Sequence, residues 1–85
     1  MRSSNRLTRA INPMPDDVHD ALTRQGLMNA YHARPPYQQN DYLGWIARAK
    51  QEETRQKRFH QMLDELKQGD VYMNMAWKPH PRSPR

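Results

Sequence analysis

Apolar residues recur along the chain with helical spacing, and turn-forming residues separate one apolar run from the next. Val18, Ala21, Leu22 and Gln25 fall at i, i+3, i+4 and i+7. Pro15, Asp16 and Asp17 precede them and Gly26 follows, so both ends of a first helix are marked. The two carboxylates suit its positive end, and Gly26 suits a left-handed closing turn. Leu27, Met28, Ala30 and Tyr31 predict a second, short helix. It ends before Arg34, because Pro35 pushes the residue ahead of it away from helical dihedrals.

The segment Tyr37 to Lys50 repeats the spacing with Tyr42, Trp45, Ile46 and Ala49, widened by Leu43 and Ala47, and predicts a third helix. Gly44 inside it costs about 1 kcal/mol relative to alanine, which points to a close approach to its backbone. A fourth helix begins at Gln51 to Thr54, carries Phe59, Met62, Leu63 and Leu66 on one face, and stops at Gly69. Asp70 to Trp77 alternates imperfectly and reads as an extended strap laid on the helices, since a lone strand is unstable.

The expected architecture is all-α: a bundle of about four helices over residues 14–69, a disordered basic arm over 1–13, the strap over 70–77 and a disordered Pro-rich tail over 78–85. Its expected core is Val18, Leu22, Leu27, Met28, Tyr31, Tyr42, Trp45, Ile46, Phe59, Met62, Leu63 and Leu66, with Trp45 and Phe59 meeting in one dry interior. Truncating Trp45 to alanine is therefore expected to unfold or severely loosen the domain.

Composition narrows the chemistry. The 85 residues allow one small domain, and Lys plus Arg outnumber Asp plus Glu by 14 to 9, for a net charge of +5. Without any Cys, disulfides, thiolate zinc sites and a cysteine nucleophile are excluded. His19, His32, His60 and His80 lack the i, i+4 spacing that ligates zinc from one helix. No phosphate-binding glycine loop or Ser/His/Asp arrangement is present, so neither a cofactor nor a catalytic set is expected, and the chain reads as non-enzymatic. No apolar run has the length of a membrane span or a secretory signal, which gives a cytoplasmic expectation.

The candidate site is cationic: Arg48, Lys50, Arg55, Lys57 and Arg58 lie within eleven residues, moderated by Glu52 and Glu53. Such a cluster faces acidic protein groups or phosphate. The bland alternative folds Arg55 and Arg58 back onto Asp16, Asp17 or helix-terminal carbonyls. A basic helical nucleic-acid-binding domain is the second reading, and Asp64 and Glu65 on its would-be recognition helix count against it.

Tyr42-Leu43-Gly44-Trp45-Ile46-Ala47-Arg48-Ala49-Lys50 followed by Glu53-Thr54-Arg55 and Arg58 resembles the signature of the bacteriocin-protection, YdeI/OmpD-associated family. Pro15-Asp16-Asp17-Val18 with Ala21-Leu22, and Met62-Leu63 with Gly69, resemble that family's opening and closing helices. A proline commonly precedes the Glu-Thr-Arg element in the family, whereas this chain has Glu52. The resemblance implies a bacterial protein of bacteriocin or antimicrobial-peptide resistance and stress response. It also implies a protein partner such as a porin or another envelope protein, and it carries no catalytic residues and no small-molecule substrate.

Overall fold

A computed structural model describes residues 11–77 of the chain. Four helices follow one another, α1 (Asp16–Arg24), α2 (Met28–Ala33), α3 (Pro36–Ala47) and α4 (Glu52–Gln68), and a small antiparallel pair, β1 (Val71–Tyr72) and β2 (Met75–Ala76), completes the fold. The molecule is thus mostly helical, but all-α is corrected by the hairpin. What reads in the sequence as an unpartnered strap folds back on itself, pairing Val71 with Ala76 and Tyr72 with Met75. Strands of two residues are too short to display an alternating pattern. The expected arm at 1–13 and tail at 78–85 fall largely outside the described residues.

Local chemistry accounts for the boundaries. Gly26 and Gly69 both take left-handed dihedrals, with φ of 69° and 84°, and close α1 and α4. Pro15 stands at the N-cap of α1 in an extended conformation. Pro36 occupies the first turn of α3, where its missing N–H leaves no bond unmade. Arg34, held extended by Pro35, ends α2. α3 stops at Ala47, earlier than the sequence pattern suggests, and Ala49 lies in the turn that leads into α4.

α3 packs chiefly on α4, α1 on α2, and β1 on α4. Val18, Leu22, Tyr42, Ile46 and Met62 are fully enclosed, with Ala21, Leu27, Tyr31, Leu43, Phe59, Leu63 and Leu66 around them. Two expected core residues sit at its margin: Trp45 and Met28 are half-buried and pack against the cluster from outside. At about 100° per residue, Leu43 and Trp45 flank the Tyr42–Ile46 line on opposite sides. Leu43 took the buried flank. The single dry interior shared by Trp45 and Phe59 is corrected accordingly: Phe59 is buried in the core, and Trp45 packs at the rim of the cluster.

The close approach that Gly44 implies is made by Asn12. A Cβ at Gly44 would lie 2.7 Å from Asn12 Nδ2. Asn12 is held there because its backbone N–H donates to Asn40 Oδ1 at 2.7 Å and its side-chain amide donates to the Asn40 carbonyl at 3.2 Å. The expectation of a disordered arm over 1–13 is corrected at Asn12, which these bonds dock on α3.

Candidate functional site

The five cations of the α3–α4 junction divide into two sets. Arg55 Nη1 and Nη2 donate to the two carboxylate oxygens of Asp17 at 2.7 and 3.0 Å, a forked pair that ties α4 to α1. The Arg55 guanidinium holds the Asp17 carboxyl below the usual carboxylate range. Arg58 Nη1 donates to the Trp45 carbonyl in the last turn of α3 at 2.7 Å, and the guanidinium lies 5.4 Å from the centre of the Trp45 ring. Arg58 thus satisfies a helix-terminal acceptor while stacking on an aromatic face.

Arg48, Lys50 and Lys57 are exposed. Arg48 caps α3 through its backbone N–H to the Gly44 carbonyl, and Lys50 lies in the turn between α3 and α4. Lys57 sits more than a turn into α4, on the side away from the Phe59–Met62–Leu63–Leu66 stripe. The sequence cluster is therefore not one patch: two arginines hold helices together and three cations remain at the surface.

A second polar constellation, which the sequence pattern did not expose, lies in the interior. Arg34, Gln38 and Glu65 are buried at 4%, 0% and 2% exposure. Arg34 Nη1 donates to Gln38 Oε1 at 3.2 Å, and its Nη2 donates to the Glu65 backbone carbonyl at 2.9 Å. The Trp77 ring covers the guanidinium at 4.7 Å. Gln38 Nε2 in turn donates to the Tyr37 hydroxyl at 3.2 Å.

Glu65 is the centre of this group. Its Oε1 accepts from the Tyr42 hydroxyl at 2.5 Å and from the Met73 backbone N–H at 2.8 Å. Its Oε2 accepts from Gln61 Nε2 at 2.9 Å and from the Asn74 N–H at 2.9 Å. Burial pushes the Glu65 carboxyl upward, but the Tyr42, Asn74, Met73 and Gln61 donors outweigh it, and the group settles below its ordinary value of 4.5. Tyr42 moves the other way, well above its ordinary value, through burial and then its bond to the carboxylate. Above that constellation, Tyr72 packs edge-on against Tyr42 and Tyr37, and its hydroxyl donates to Asp41 Oδ2 at 2.7 Å.

A signal for this group did exist. Arg34, Gln38 and Tyr42 repeat at i, i+4 and i+8, and Glu65 lies three residues after Met62, beside the apolar face of α4. Polar identity concealed the periodicity.

An open groove runs along the outer side of α4 next to the hairpin, lined by Lys57, His60, Asp64, Glu65 and Asn74 among others. Among the described residues, no group of three or more His, Asp or Glu side chains is placed to hold a metal ion, and no helix is long and apolar enough to cross a membrane.

Residues 13–69 match the family model described as bacteriocin-protection, YdeI or OmpD-associated. That span takes in all four helices, the cationic junction and the buried Arg34–Gln38–Tyr42–Glu65 group, and it ends where the hairpin begins. No curated protein and no solved structure matches the chain.

Proposed function

The chain belongs to the bacteriocin-protection, YdeI or OmpD-associated family, and from that premise we propose that it acts as a non-enzymatic docking module, engaging an acidic protein surface through Arg48, Lys50 and Lys57. The observation that supports this reading is the division of the cationic cluster. Arg55 and Arg58 are committed to Asp17 and the Trp45 carbonyl, whereas the other three cations are exposed and free to be desolvated by a partner. Rim charges of this kind govern the rate and selectivity of association more than its depth. An envelope protein such as a porin that presents an acidic patch would offer a surface of the required sign.

Cells lacking the gene provide the test, complemented with wild type or with a triple charge reversal of Arg48, Lys50 and Lys57 to Glu, and exposed to a bacteriocin or cationic peptide. The expected result is a variant with an unchanged thermal midpoint that no longer restores protection. Full protection by the charge-reversed chain contradicts the reading. A mobility shift of nucleic acid by the wild-type chain that depends on sequence and weakens steeply with salt would transfer the same three residues to a phosphate-binding role.

A further inference from the structure

The hairpin is attached to the helices through the Glu65 carboxylate. Of the four donors on that carboxylate, two are the backbone N–H groups of Met73 and Asn74, the turn of the hairpin. Both turn residues have left-handed dihedrals, with φ of 51° for Met73 and 65° for Asn74. Asparagine tolerates that region and methionine resists it, so the turn persists because its amides are gripped from below. The far end is held by Trp77 over Arg34 and by the Trp77 N–H bonded to the Asp70 carbonyl at 2.9 Å. The strands themselves are two residues each, and β2 is exposed. A hairpin of this size has little stability of its own.

We propose that the hairpin over residues 70–77 is a releasable clasp: protonation of Glu65 frees it from the helices, which stay folded, and uncovers Arg34, Gln38 and Tyr42. The physical reason is acceptor capacity. Each Glu65 oxygen already accepts two hydrogen bonds, so an added proton has no vacant lone pair to occupy and must displace a donor. Tyr42 and Gln61 are anchored on α3 and α4, and the turn amides belong to the least stable element, so the amides leave.

Arg34 is bonded to the Glu65 backbone carbonyl and covered by the Trp77 ring, so departure of the hairpin carries Trp77 off the guanidinium and admits water to it. Protons reach the site from the open groove, where Glu65 is part of the lining. The other titratable groups around the carboxylate are Arg34, Tyr42 and Tyr72 on the inner side, with Asp41 behind Tyr72, and Lys57, His60 and Asp64 along the groove. The clasp lies outside the span matched by the family model, whereas the Glu65 that grips it lies inside.

Amide hydrogen exchange and NMR of the full-length chain, titrated from neutral to acid pH, test the proposal. As pH falls below 4.5, Glu65's ordinary value, protection of the Met73, Asn74 and Trp77 amides, corrected for intrinsic exchange, is expected to drop about ten- to hundred-fold, the loss of a hydrogen bond to a charged group. The amides of α3 and α4 keep theirs over the same range. Glu65→Gln places an amide donor against the turn, so its hairpin is expected to be open already at neutral pH and to show no further response. Asp41→Asn is expected to retain the response, which separates Glu65 from the carboxylate that holds Tyr72. Met73→Gly relieves the turn and is expected to move release to lower pH, and it serves if Glu65→Gln does not fold. Hairpin and helices losing protection together, or a hairpin indifferent to pH, would overturn the proposal.

Discussion

Two polar regions bracket this small bundle, and they differ in nearly everything but charge. At the α3–α4 junction, Arg55 and Asp17 form a forked ion pair whose side chains are 22% and 50% exposed. At the opposite end of α4, Glu65 is 2% exposed and fully engaged by two side chains and two backbone amides. Water competes freely for the first region and touches the second only along the edge of the groove. An exposed pair contributes little because solvent screens it, whereas a buried carboxylate costs several kcal/mol unless every lone pair is used. The junction can therefore give up charges to a partner at small cost to the fold, while the Glu65 centre determines which residues of the C-terminal segment lie where.

Breaking the buried region should have the largest effect. Glu65→Ala leaves the Met73 and Asn74 amides and the Tyr42 hydroxyl without their acceptor, and is expected to lower unfolding free energy by about 3–5 kcal/mol. Domains of this size have about that much in total, so the variant should be marginally folded, as read by urea titration with circular dichroism. A loss below about 1 kcal/mol would place the carboxylate in water rather than in the interior.

Trp45 gives the next effect. Because it closes the rim rather than filling the centre, Trp45→Ala is expected to cost about 1–3 kcal/mol, less than the cost of removing a fully buried aromatic. The chain should remain folded with a lowered thermal midpoint, and complete unfolding would return the indole to the core.

Acid titration separates the regions by sign and by size. The folded-state values of Glu65 and Asp17 both lie below their ordinary values of 4.5 and 3.8, so the unfolded chain binds more protons as pH falls. Their contribution is fully present above those ordinary values and disappears as pH drops through the folded ones. Stability followed by urea titration from pH 6 to pH 2 is expected to decline below 4.5. Glu65→Gln should flatten that decline more than Asp17→Asn does. The smallest effect belongs to Arg55→Gln, expected to cost about 0.2–1 kcal/mol and to shrink further in added salt.

Much of the helical frame was legible because its determinants are local. Pro15, Pro35 and Pro36 delimit elements through fixed φ and the missing N–H, Gly26 and Gly69 close helices through positive φ, and Gly44 announced the neighbour that proved to be Asn12. Misreadings arose where tertiary contact overrode pattern. Leu43 and Trp45 are both apolar and flank the same line, and nothing in their spacing says which flank is covered. Gln38 keeps the helical period with Arg34 and is concealed only by its polarity, whereas the burial of Glu65 follows from Tyr42, 23 residues away, and from the amides of a chain reversal, which no helical period encodes. The hairpin escaped notice for the same reason: its turn is set less by its own Met73-Asn74 dipeptide than by a carboxylate on another element.

The cationic candidates show the converse. Clustering in sequence drew Arg48, Lys50, Arg55, Lys57 and Arg58 together, yet helical geometry sends Arg55 and Arg58 toward α1 and α3 and leaves the others outside. Proximity along a chain is not proximity on a surface.

Paired double-mutant cycles test the central claim most directly, one combining Tyr42→Phe with Glu65→Gln and the other Asp17→Asn with Arg55→Gln, all in the full-length chain at neutral pH. A coupling energy of about 1.5–3 kcal/mol is expected for the buried pair and no more than about 1 kcal/mol for the exposed one. Equal couplings, or a larger one at the surface pair, would contradict the assignment of Glu65 as the interior centre on which the C-terminal end of this molecule is organised.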